Sequence, residues 1–175
     1  MKLQKLKEKI AKNPMREIKL EKIVLSCGAT GADLEKSKKL LEFLTGRKAH
    51  KIISLKRIPD FGVRPGLEVG VRVTIRKEAI NLLRKLLGAI GNSLDEDQIT
   101  KNSFSFGIKE YIEIPGIDYQ REIGIRGLNV TASFIRAGVR VRRKKIKFGK
   151  LPKKQHVSKE EIIGYMEEKF NTNIT

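Results

Sequence analysis

Four places in this chain carry residue types that could do chemistry. The first is Gly28-Ala29-Thr30-Gly31, a small-residue turn between an apolar run and an amphipathic one. Glycine turns at a helix start can cradle phosphate on backbone N–H groups. A nucleotide-binding enzyme using the Gly28–Gly31 turn is therefore the rival reading of the chain. The phosphate-loop pattern requires Lys and then Ser or Thr after the second glycine, whereas Ala32-Asp33 stand there. Asp33 would repel a phosphate, and the dinucleotide-type glycine spacing is missing, so a plain tight turn is expected.

The second place is the pair of histidines, His50 and His156, more than a hundred residues apart and in no metal-ligand spacing. The third is Cys27, which has no second cysteine to pair with and reads as a small, partly buried residue at a strand end. No nucleophile elbow and no acid–base carboxylate pair is present. No catalytic residue, metal ligand or cofactor is expected.

The fourth place is a charge run. Between Arg136 and Lys154 stand ten basic residues and no acidic one: Arg136, Arg140, Arg142, Arg143, Lys144, Lys145, Lys147, Lys150, Lys153 and Lys154. The whole chain of 175 residues holds 38 Lys plus Arg against 20 Asp plus Glu, a formal net charge of +18. Self-repulsion at that level opposes folding, and a polyanion that neutralises it is the simplest reason to keep it. The run is expected to be mobile alone and to order on nucleic acid. A membrane is the weaker candidate: no run of about 18 apolar residues exists, and the N-terminus has no secretory h-region. Peripheral membrane contact through residues 1–12 is a second rival.

These residues need a scaffold. Residues 1–12 read as a basic surface helix ended by Asn13-Pro14. Ile18 to Leu25 reads as a strand. Thr30 and Asp33 read as a capping box one methylene short, opening a helix that carries Leu34, Leu40, Leu41 and Leu44 and stops at Thr45-Gly46. A second strand covers roughly Ala49 to Leu55. Residues 56–68, with two prolines and two glycines, read as a long exposed loop. In the next strand Val69, Val71, Val73 and Ile75 face a core, and Gly70, Arg72, Thr74 and Arg76 face outward.

A helix follows over Ala79, Leu83, Leu86, Leu87 and Ile90. Phe104, Phe106, Ile108, Ile112 and Ile114 then alternate as a strand. The aromatics of Phe104-Ser105-Phe106 could stack bases on an open sheet, but they share parity with the isoleucines and belong to the core. Ile123 and Ile125, then Leu128, Val130, Ala132 and Phe134, alternate with a register change at Gly127 that predicts a β-bulge. Ser158 and Glu161 form a capping box for a last helix docked by Ile162, Met166 and Phe170. The sum is α+β: a single domain over 1–175, with a mainly antiparallel sheet, helices packed on one face, an open RNA-binding face, and a basic extension over 136–157. One histidine is expected on the RNA-facing side of that sheet and the other at the mouth of a helix.

Seven motifs occur in one order: Asn13-Pro14-Met15-Arg16-Glu17, Leu44-Thr45-Gly46, Asp60-Phe61-Gly62-Val63-Arg64, Val71 to Arg76, Phe104 to Glu110, Ile123-Gly124-Ile125 and Ser158 to Glu161. Together they resemble the universal large-subunit ribosomal protein family called L-five in bacteria and archaea and L-eleven in eukaryotes. The basic segment and the capped last helix are similar to the archaeal and eukaryotic branch. The resemblance implies a cytoplasmic protein of the large ribosomal subunit, in the central protuberance, bound to 5S rRNA and large-subunit rRNA among neighbouring ribosomal proteins. It implies that the long loop approaches P-site tRNA and that the protein joins a bridge to a small-subunit protein. The 5S-facing positions it implies are near Ser26, Arg47, Thr74 and Arg76. Ser26 and Arg47 depart from the Asn and Gln common there. Arg72 lies on the same outward face, and Arg136, Arg140, Arg142, Arg143, Lys144 and Lys145 are expected to meet RNA phosphates. Lys56, Arg57, Phe61 and Arg64 are the expected tRNA-proximal residues, with Phe61 either stacked on a base or packed under its own loop.

Overall fold

Strict apolar–polar alternation makes half-buried strands, and that pattern dominates the structure, a computed structural model that describes residues 13–175. The basic helix expected over 1–12 lies outside the described residues. The elements run β1 (Lys19–Gly28), α1 (Ala32–Thr45), β2 (His50–Ile53), β3 (Glu68–Ile75), α2 (Ala79–Ala89), β4 (Ser93–Leu94), β5 (Ile99–Thr100), β6 (Ser103–Ile108), β7 (Leu128–Ile135), α3 (Arg140–Arg143), α4 (Lys159–Phe170) and β8 (Asn173–Ile174). Six strands form one sheet in the order β2-β3-β1-β7-β6-β5. All its pairings are antiparallel. β4 and β8 make a small parallel pair beside it. The fold is the single α+β domain that the alternation predicts.

One face of the sheet carries Ile23, Leu25, Val71, Val73, Phe104, Phe106, Val130 and Phe134, all buried. Against it pack Leu34, Leu40 and Leu41 of α1, Leu83, Leu86 and Leu87 of α2, and Ile162, Met166 and Phe170 of α4, in one continuous cluster. Phe134 meets Tyr165 of α4 edge-on, with ring centroids 5.4 Å apart. Burying each such side chain contributes roughly 1.5–3 kcal/mol, so Leu41→Ala would cost about 2–5 kcal/mol.

Ser158 caps α4 as expected: its Oγ accepts from the Glu161 N–H and the Glu161 carboxylate accepts from the Ser158 N–H. Five expectations fail, the last of them at Gly127. The Thr30–Asp33 box does not form; Gly31 is the N-cap of α1 without a side-chain bond, because the Asp33 carboxylate pairs with Arg126. β2 is shorter than Ala49–Leu55 and ends at Ile53. The strand expected over 104–114 stops at Ile108; Tyr111–Glu113 is a 3-10 turn that buries Tyr111 and Ile114 and exposes Ile112. Tyr111 is held there by its N–H to the Arg126 carbonyl (3.0 Å) and by its hydroxyl, which accepts from the Gln120 N–H (2.8 Å). Residues 123–125 form no strand: Ile123 is buried and Ile125 exposed.

Gly127 holds no bulge. A Cβ there would lie 2.8 Å from the Ile108 carbonyl oxygen and 2.7 Å from that of Lys109, so glycine serves a close backbone approach at the start of β7. The register shifts lie instead in β1, between Leu20 and Lys22, and in β2, between Ile52 and Ile53.

Candidate nucleic-acid interface

In an antiparallel pair, residues directly opposite each other project to the same face, so the register reads out the face that no helix among the described residues covers. Arg72 on β3 lies opposite His50 on β2 and Ser26 on β1; Ser26 lies opposite Asn129 on β7, and Asn129 opposite Gly107 on β6. The next row is Thr74, Val24, Thr131 and Ser105. The third is Lys22, Ser133, Ser103 and Thr100, with Arg76 just past the end of β3. None of these residues is Asp or Glu, and all but Val24 and Gly107 carry a hydrogen-bonding or charged side chain.

All of these side chains are exposed or half-buried. The face is also low: beyond Arg72, Gly70 stands opposite Gly28, and a Cβ on Gly70 would approach the Cys27 carbonyl oxygen to 2.9 Å. His50 lies on the exposed face and His156 immediately ahead of α4. Arg47, in the turn after α1, is exposed. The motifs do not single out Asn129, Thr131, Ser133, Ser103 and Ser105; these are the off-parity partners of the apolar residues that define β6 and β7, and that parity is the signal for them.

Glu35, Glu68 and Glu122 are engaged in ion pairs. Lys51 at the sheet edge bonds Glu35 (2.6 Å) and Glu68 (2.9 Å), which raises the lysine pKa and lowers that of Glu35. Lys39 of α1 bonds Glu122 at 2.8 Å. Cys27 points to the core, and burial pushes its thiol pKa up to about 11. A thiol so protonated is a poor nucleophile.

The residues expected to meet phosphate along 136–154 divide. Arg136 is only 6 % exposed. Its guanidinium donates to the carbonyls of Lys154 (2.9 Å) and His156 (3.3 Å) and pairs with Glu161. It is a clamp inside the chain rather than an exposed phosphate contact, because its charge is committed to Glu161 and two carbonyls. Arg140, Arg142, Arg143, Lys144 and Lys145 are exposed. Arg143 also pairs with Glu21 of β1, which draws the excursion toward the open face. Gln155 Nε2 donates to the Ala137 carbonyl, so the excursion is tied shut at its base.

The β2–β3 loop is built, not slack. Ile58 and Val63 bridge across a 3-10 turn at Pro59–Phe61, and Ser54 N–H donates to the Leu67 carbonyl at 2.8 Å. Lys56, Arg57 and Arg64 are exposed. Phe61 is 79 % exposed rather than packed under the loop, and Leu55 is 90 % exposed. The turn at 28–31 ends in a helix whose first turn carries Asp33 and Glu35. These charges disfavour a bound phosphate.

Comparison with known sequences matches this chain to one family. Residues 13–64 match the family model described as ribosomal protein L5, and residues 68–162 match the model of that ribosomal family's C-terminus. The chain is 40 % identical over 166 residues to the large ribosomal subunit protein uL5 of Nanoarchaeum equitans, covering 93 % of this chain and 98 % of that one. It is 40 % identical over 167 residues to the uL5 protein of Sulfurisphaera tokodaii (93 % and 94 % covered), and 36 % over 165 residues to that of Methanobrevibacter smithii (92 % and 97 % covered). The chain therefore belongs to the ribosomal protein L5 family.

Proposed function

We propose that the open sheet face binds 5S rRNA, and that the basic excursion holds adjacent ribosomal RNA, in the central protuberance of the large ribosomal subunit. Family membership makes the chain a structural constituent of the cytoplasmic ribosome and not an enzyme. The observation that carries the finer reading is the uncovered face: three cross-strand rows of Ser, Thr, Asn, Lys, Arg and His with no carboxylate.

A-form RNA offers a wide, shallow minor groove lined with 2′-hydroxyls. Short hydroxyl and amide side chains on a low surface match that groove. Arg72, Arg76 and Arg47 at the β3 side suit flanking phosphates, which position the RNA rather than read its sequence. The β2–β3 loop, with Lys56, Arg57, Phe61 and Arg64 exposed at its tip, is the element we assign to P-site tRNA. The resemblance also supports a bridge between this protein and a small-subunit protein.

Pull-down of the full chain from a ribosome-salt wash, with sequencing of the bound RNA, tests the reading. A dominant 5S species is expected; enrichment of messenger RNA without 5S would overturn it.

A further inference from the structure

Where the excursion meets the start of β1 and the end of β7, it overhangs the open face and leaves a cleft of about 350 Å³. Resting on the RNA-binding reading of that face, we propose that this cleft takes one extruded nucleotide of the bound RNA. The volume falls at the low end of the roughly 300–1,000 Å³ that small-molecule sites occupy. It is room for one nucleotide and too little for a helix or a duplex.

The lining suits that occupant. The floor is the third cross-strand row: Ser133 lies opposite both Ser103 and Lys22. Val139 and Leu151 supply apolar wall from the excursion side, against which a base can lie. Polar groups at the back are preset. Asn102 Oδ1 accepts from the Val157 N–H at 2.8 Å, which turns Asn102 Nδ2 toward His156 Nδ1 at 3.0 Å. His156 Nδ1 then accepts, and its Nε2 is left as an N–H donor. Gln155 spends its Nε2 on the Ala137 carbonyl, which leaves Oε1 as an acceptor. Arg136, beneath them, keeps a buried Nε–H without a partner among the described residues.

A mixed set of donors and acceptors behind an apolar wall is what the edge and face of a nucleobase require. Glu21 also lines the cleft, but its carboxylate is paired with Arg143; Lys22 and Arg142 line it too and have no carboxylate partner among the described residues, so a phosphate can be held there. The cleft opens onto the sheet rows, so a nucleotide leaving a loop or bulge of the bound RNA reaches it without lifting the remaining contacts.

The test uses the full chain, 5S and large-subunit rRNA transcripts at matched salt, hydroxyl-radical footprinting for the backbone, and base-specific alkylation for single nucleotides. Wild type is expected to shield the base edge of one unpaired nucleotide within its backbone footprint. Ser133→Phe fills the cleft from the floor, and Leu151→Ala removes the apolar wall without touching the sheet. Each should abolish that single-base protection and weaken binding by about 5- to 30-fold, with the rest of the footprint kept. A wild-type footprint whose base protections survive in Leu151→Ala and in a Ser133→Phe protein of unchanged melting temperature overturns the cleft proposal alone. A wild type with no footprint on either RNA overturns the RNA reading of the face, and the cleft proposal with it.

Discussion

The open sheet face and the basic excursion are both cationic, but they are built on opposite principles. On the face, position is set by strand register, and side chains such as Ser26, Thr131 and Ser133 are short, half-buried and held in place. Little conformational entropy remains there for binding to remove. On the excursion, long cations line a segment with one helical turn and no buried apolar residue between 137 and 154. Fixed short groups suit discrimination of shape; long exposed cations suit attraction that depends on salt. Under the proposed RNA-binding function, the contrast predicts register and selectivity from the sheet and most of the affinity from the excursion.

The largest effect that would sharpen this contrast is electrostatic. With roughly 5–8 phosphates neutralised, log K against log salt should fall with a slope of about −4 to −7, at ~0.7–0.9 per phosphate. Replacing Arg140, Arg142, Lys144 and Lys145 with Ala should flatten that slope by about 3 and cost two or more orders of magnitude in affinity at low salt. An unchanged slope in filter-binding titrations would move the attraction back to the sheet.

Arg136→Ala should behave differently from its neighbours in the charge run. It strips a partner from Glu161, whose side chain is 17 % exposed, and leaves two carbonyls without their donor. Breaking a buried pair costs about 3 kcal/mol or more, a fall of roughly 6–12 °C in Tm for a chain of this size. Calorimetry checks this; a Tm within about 2 °C of wild type would return Arg136 to the surface set.

On the face, Thr74→Val with Arg76→Ala should weaken 5S rRNA binding by about 1–3 kcal/mol, the range for hydrogen bonds to charged groups. Because one cation is lost, the salt slope should change by less than about 1, and Tm should hold. A large melting shift would mean that Thr74 packs in the core. The smallest effect is expected at the loop: alanine at Lys56, Arg57 and Arg64 should leave affinity for isolated 5S rRNA within about three-fold (under ~1 kcal/mol). It should weaken tRNA retention in assembled ribosomes. Loss of 5S binding with normal tRNA retention would exchange the two assignments.

Much of this scaffold is legible in the sequence where one rule governs. Val71 to Arg76 alternates without exception, and its two faces are those observed; only Gly70, packed against the Cys27 carbonyl, departs from the exposure expected of the outward face. The Ser158–Glu161 cap is a purely local device and forms as expected. Legibility fails where a distant partner decides. Asp33 is drawn from its cap by Arg126, 93 residues away. The isoleucine parity of 104–114 is broken by Tyr111, whose partners lie at Gln120 and Arg126. Arg136 looks like every other cation in its run until Glu161 is folded against it. The cross-strand rows needed the order β2-β3-β1-β7-β6-β5, which no single strand encodes.

The placement of β1 between β3 and β7 has a consequence for how the molecule comes to be made. Its pairing with β7 joins Lys19 to Ile135, a separation of more than a hundred residues. Loops of that length close slowly, and folding rate falls as such non-local pairings dominate. During synthesis β1 emerges early, pairs with β3, and then presents a bare edge until β7 leaves the exit tunnel. At roughly 5–20 residues per second that interval lasts on the order of several seconds. Through it, the free edge of a half-paired strand is open to other chains.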